Sequence, residues 1–205
     1  MGANGCGKST LLKTLSGRIP SLEGNVKLCN LNIGKWNARE LAKNVAYISM
    51  SGTAADRMTV REFVSLGRMP YAGVLDGRTA EDEKIVDEAL ALLNLQGFAD
   101  RLVTELSDGE RSRVYLAEAI AQQVKVLLLD EPNAFLDIPH SNALFKLLKR
   151  MAAEKEMGIV VSTHSLEYAE KYCHRIMVID EHCVKVAAAA DARNQGLLKW
   201  TESDV

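Results

Sequence analysis

Nine residues near the start of the chain, Gly2-Ala3-Asn4-Gly5-Cys6-Gly7-Lys8-Ser9-Thr10, fit the pattern G-x-x-x-x-G-K-[S/T]. This pattern constrains the fold because it prescribes a tight loop that opens directly into a helix. Its glycines let successive backbone N–H groups turn inward around an anion. The helix that follows points its N-terminus at the same anion. Lys8 supplies a point charge for the β- and γ-phosphates of a nucleotide, and the Ser9 hydroxyl is a ligand for Mg²⁺. Gly2, Asn4, Gly5, Cys6, Gly7 and Thr10 complete the predicted cradle.

The rest of the chain alternates between helical and strand patterns. A helix is expected from Lys8 to near Gly17, with Pro20 just beyond. Val26–Leu28 and Asn44–Ser49 read as strands, separated by a short helix beginning at Asn37 with Glu40 three residues on. Thr59 and Glu62 repeat that capping pattern. Residues 79–94 and a segment from Asp108 to about Gln122 read as helices. Val126–Leu129 is an unbroken apolar run, as in a parallel strand buried on both faces. A helix over 139–157 and strands at Gly158–Thr163 and Ile176–Ile179 follow. The order predicts an α/β fold with a mainly parallel sheet wrapped by helices. Residues 52–122, which are helical throughout, form an inserted subdomain. The expected division is 1–51 and 123–185 as two parts of the core, 52–122 as the helical subdomain, and 186–205 as a tail.

The apolar run ends in Asp130-Glu131, at the end of a strand where open α/β sheets bind ligands. Asp130 is placed to hold Mg²⁺, and Glu131 to polarise an attacking water as general base. Leu106-Ser107-Asp108-Gly109-Glu110 lies shortly upstream. By itself it satisfies a helix capping box through Ser107 and Glu110. In the company of the two nucleotide motifs it resembles the signature sequence of the ABC ATPases, Leu-Ser-Gly-Gly-Gln. The resemblance covers about residues 1–185. It implies a P-loop (RecA-like) core, hydrolysis of ATP with Mg²⁺, and a head-to-tail homodimer in which Ser107, Gly109 and Asp137 act in trans. It matches His164 to the family's switch histidine, working with Glu131. His140, His174 and His182 match no role. Thr59–Arg68 looks like the start of the helical subdomain in importers of iron-siderophore, haem and cobalamin type. That implies transmembrane permease subunits as partners, a substrate-binding protein indirectly, and a cytoplasmic position on the inner face of the membrane.

Three departures from the family stand out. The P-loop begins at Gly2, whereas family members carry strands and an adenine-stacking aromatic before it, so an upstream segment is expected. Met50 stands where the family has a glutamine, and a thioether is a poor ligand for a hard cation. Asp108 and Glu110 replace a glycine and a glutamine beside the docking point of the partner's triphosphate. The alternative reading is a nucleotide-binding fragment without productive turnover. Cys6, beside Lys8 at a helix N-terminus, is predicted to react with thiol reagents and to be protected by ATP.

Composition narrows the partners. A net charge of −2 and 5% aromatic residues disfavour a nucleic-acid surface. No apolar run is long enough to span a bilayer, and no signal peptide is expected. The cysteines, Cys6, Cys29, Cys173 and Cys183, form no CxxC pair and read as reduced thiols.

Overall fold

The computed structural model describes residues 1–3, 5–49, 57–73, 77–134, 136–180 and 183–194. The expectations for Asn4, Met50 and His182 lie outside the described residues. Helix α1 (Lys8–Leu15) follows the glycine loop. Strands β1 (Lys27–Leu28) and β2 (Leu31–Asn32) form a small antiparallel hairpin. Its turn places Cys29 and Asn30 at positive φ, the conformation of a type I′ turn. The strand expected at Val26–Leu28 is therefore half of a hairpin rather than a member of the main sheet. Helix α2 (Ala38–Ala42), capped by the Asn37 side chain, leads into β3 (Val45–Ser49).

Next come α3 (Val60–Ser65), α4 (Ala80–Leu92) and α5 (Asp108–Ala121). Each begins with a capping box, from Thr59–Glu62, Thr79–Asp82 and Ser107–Glu110. Such a box satisfies orphan N–H groups at the helix start. The three helices pack on one another, and α5 also packs on β3. Gly67 permits this closeness, because a Cβ there would meet the Glu118 carbonyl at 2.3 Å. Beyond α5 lie β4 (Val126–Asp130), α6 (Ile138–Glu154), β5 (Gly158–Ser162) and α7 (Leu166–Tyr172).

The central sheet is parallel in the order β3-β4-β5, with Ser49, Asp130 and Ser162 in register at one end. β4 is its buried middle strand, with Leu127, Leu128 and Leu129 almost fully enclosed. Fully burying each such leucine contributes roughly 1.5–3 kcal/mol. One apolar cluster runs from α3, α4 and α5 through Leu127 and Leu129 to Leu144 and Leu148 of α6. The helical segment thus shares its core with one face of the sheet.

Two expectations change at the C-terminal side. Among the described residues β6 (Arg175–Asp180) does not join the parallel sheet but pairs antiparallel with β7 (Cys183–Ala188). The expected tail boundary at 185/186 therefore falls inside a paired strand, and Ala187 and Ala192 are buried. Within Ile176–Ile179, Ile176 and Val178 are buried but Met177 is 37% exposed, and the apolar letters carry no information about strand direction. Met1 lies beside β6: its amino group donates to Met177 O at 2.6 Å, and its carbonyl accepts from Ile179 N at 2.8 Å. A cavity of about 500 Å³ opens between β5 and β6, lined mainly by Leu12, Phe145, Ile159, Val161, Ile176 and Met177.

Candidate functional site

Helix α1 differs from its neighbours at the N-terminus. Side chains cap α2 to α6, whereas Gly7 before α1 sits at φ 97° with no capping side chain. No acidic residue occupies its first turn. The first-turn N–H groups thus have no side-chain cap, at the positive end of the helix dipole. Lys8 is buried, and its Nζ donates to Gly2 O at 2.9 Å and Ala3 O at 2.8 Å. Gly2 is wedged against β6, where a Cβ would meet the Ile179 carbonyl at 2.4 Å. Cys6 is half-buried in the loop, while Gly5, Ser9 and Thr10 are exposed.

The two acids stand at the C-terminal end of β4, facing the start of α1. Burial pushes the Asp130 carboxyl up. Hydrogen bonds from Ser9, Ser162 and Tyr47, with the charge of Lys13, outweigh this and hold it below the usual carboxylate range. Ser162 Oγ donates to Asp130 Oδ1 at 2.7 Å, and Tyr47 O–H donates to Oδ2 at 3.0 Å. Burial, then the bond to Asp130, pushes the Tyr47 phenol up to about 12.

Glu131 adopts φ 49°, a left-handed conformation that costs a non-glycine residue roughly 1–2 kcal/mol. That turn takes the chain out of the strand direction. Glu131 Oε1 then lies 2.6 Å from His164 Nε2. The turn carrying His164 is held from behind: Thr163 Oγ1 donates to Asn133 Oδ1 and accepts from Ser165 N. Ser9, Asp130, Glu131 and His164, which are far apart in the sequence, thus form one hydrogen-bonded group, and Lys8 adjoins Ser9. Asp130, Glu131 and His164 do not line the large cavity between β5 and β6. Lys8, Ser162 and Thr163 do line it, so that space lies between the sheet and the back of this group.

Ser107, Gly109 and Asp137 gather at another place. A Cβ on Gly109 would lie 3.6 Å from Leu136 and 3.9 Å from the His140 ring. His140 Nδ1 is 2.6 Å from Asp137 Oδ1. Ser107 caps α5, and its N–H and hydroxyl both donate to Glu110 Oε2, at 2.9 and 2.7 Å. These bonds hold the Glu110 carboxyl below its ordinary value. Among the described residues, none of the three hydrogen-bonds the Asp130–Glu131–His164 group. Sequence reasoning passed over Tyr47 and Ser162, whose signal is only a strand register joining distant segments.

Residues 1–134, which carry the glycine loop and the paired acids, match a family described as ABC transporter. The chain belongs to the ABC transporter family. It is 38% identical over 201 residues to a hemin import ATP-binding protein of Rhodococcus jostii, covering 97% of this chain and 67% of that protein. It is 36% identical over 181 residues to a probable siderophore transport system ATP-binding protein of Bacillus subtilis, covering 88% and 66%. Against another Bacillus subtilis ABC transporter ATP-binding protein it spans 40% of the length. The fold matches an inward-facing metal-chelate type ABC transporter with a TM-score of 0.85 at 25% identity, covering 98% of this chain and 76% of that one. It also matches a dimeric ATP-binding cassette in a post-hydrolysis state with ADP and Pi, with a TM-score of 0.80 at 27% identity, covering 92% and 83%. The expected P-loop α/β fold of an ABC ATPase domain is therefore the fold of this chain.

Proposed function

We propose that this chain is the ATP-binding and ATP-hydrolysing part of an importer for a metal-chelate substrate of siderophore or haem type. The observation that carries this reading is the hydrogen-bonded group made by Ser9, Asp130, Glu131 and His164 beside the uncapped start of α1. The donor set suits a nucleotide with Mg²⁺. Lys8 and the α1 N–H groups answer phosphate, and Ser9 and Asp130 offer the oxygen ligands Mg²⁺ prefers. Among the described residues no cluster of His, Cys, Asp and Glu forms a metal cage. Such sparse protein ligation is usual for Mg²⁺, which keeps waters and substrate phosphates in its shell. When bound, the ion supplies charge neutralisation at the phosphates.

Residues of this chain do the rest. Lys8 exchanges its loop carbonyls for phosphate oxygens. Glu131 orients the attacking water and accepts its proton, while His164 fixes the carboxylate at 2.6 Å. Ser107, Gly109 and Asp137 of a second copy complete the site across a head-to-tail dimer. Their shared exposed surface, and the dimeric relative bound to ADP and Pi, support that reading. No helix among the described residues is long and apolar enough to cross a membrane. The transport and import roles in the relatives' names support attachment to the inner face through permease subunits. A substrate-binding protein would act one step further away.

Glu131→Gln in the full-length protein tests the chemistry. ATP turnover should fall by about a hundredfold or more with nucleotide affinity retained. Turnover within a few-fold of the parent would overturn the role of Glu131. The open cavity between β5 and β6 favours a second reading, a nucleotide-binding unit without useful turnover. Absence of Mg²⁺-dependent hydrolysis in the parent, with tight ATP binding, would select it.

A further inference from the structure

Ser162 is almost fully buried at the end of β5, directly opposite Asp130 in the parallel register. Its hydroxyl does two things at once. The O–H donates to Asp130 Oδ1 at 2.7 Å, and the oxygen accepts from the Glu131 backbone N–H at 2.9 Å. The acceptor matters because Glu131 has turned to φ 49° and left the strand ladder. Its amide needs a partner, since a part-buried N–H without one is costly. On the far side of Asp130, Tyr47 O–H from β3 donates to the other carboxylate oxygen. Neighbouring strands thus clamp Asp130 from both sides, and one of the clamps also holds the backbone that aims Glu131 at His164.

We infer that Ser162 is a positioning residue that couples the two carboxylates, fixing Asp130 and the left-handed turn at Glu131 through one hydroxyl, with Tyr47 as the second clamp on Asp130. Ser162 touches neither nucleotide nor metal in this scheme. It sets the angle from which Asp130 faces Mg²⁺ and the direction in which Glu131 leaves the strand. The inference rests on the function proposed above.

The test uses the full-length protein with Ser162→Ala, Ser162→Thr and Tyr47→Phe. Readouts are kcat and KM for ATP, metal-free nucleotide affinity, and Mn²⁺ affinity in the presence of ADP measured by electron paramagnetic resonance. Orienting partners of metal ligands typically contribute 10–100-fold to affinity or activity. Ser162→Ala should lower kcat by about tenfold or more and weaken Mn²⁺ by about tenfold, with KM and metal-free nucleotide affinity unchanged. Ser162→Thr, which keeps the hydroxyl, should recover most of both. Tyr47→Phe, which releases Asp130 but leaves Glu131 held, should weaken Mn²⁺ with a smaller loss of kcat; if the alanine variant does not fold, Ser162→Cys, which keeps the size but weakens both bonds, takes its place under the same criteria. The inference fails if Ser162→Ala keeps kcat and Mn²⁺ affinity within twofold. It also fails if metal-free nucleotide affinity drops in step with them, since that pattern marks general damage. Should the parent not hydrolyse ATP, the proposed function fails, and the Mn²⁺ measurement still decides the role of Ser162.

Discussion

At the scale of single residues, the start of α5 carries a conflict. In the proposed dimer Ser107 would receive a partner's phosphate, yet its N–H and hydroxyl are both occupied by Glu110. A carboxylate therefore stands where another anion would dock. Replacing Glu110 by Gln keeps the reach of the capping side chain and removes the charge. We expect ATP-driven dimerisation of Glu110→Gln to tighten by about threefold to tenfold, on the scale of one like-charge contact in partial solvent. Sedimentation of a hydrolysis-deficient background with and without ATP measures this, and unchanged or weaker association would refute it. The residues that made this site legible in the chain are those whose chemistry travels with a local motif: Lys8, Ser9, Asp130, Glu131 and, through its place after a strand, His164. Ser162 and Tyr47 were not legible. Their contacts with Asp130 come from the pairing of β3, β4 and β5, which no local window contains.

At the scale of elements, capping chemistry was readable and strand direction was not. Asn37, Thr59 and Ser107 cap the helices their letters announced. The strand–helix–strand order predicts a parallel β6, and only its pairing with β7 reveals the reversal. Helix α5 carries a further device. Glu118 faces a cavity it shares with Arg18, Tyr47 and Gln122. Burial pushes its carboxyl up to about 7, and the charge of Arg18 offsets only part of that. The folded chain therefore holds this proton in a range where the unfolded chain has lost it. The stabilisation is complete below the ordinary glutamate value and fades as pH rises through about 7. Urea midpoints should thus decline between about pH 5 and 8, and Glu118→Gln should flatten that decline. Parallel curves for parent and variant would show that another group governs it.

For the whole molecule, the sheet arranges everything described above. Its three parallel strands deliver Ser49, Asp130 and Ser162 to one edge, and α1 meets them there. The opposite side of β5 faces the cavity, and among the described residues β5 pairs only with β4. Val160 on that strand is 39% exposed. An open strand edge with an apolar side chain is a template for other chains. The consequence is colloidal: solutions of residues 1–205 should scatter light increasingly with concentration and time. A single Val160→Lys change should cut that scattering by about half or more, because a lysine on an edge repels incoming strands. Keeping this molecule monodisperse is therefore a matter of guarding a few ångströms of β5 backbone.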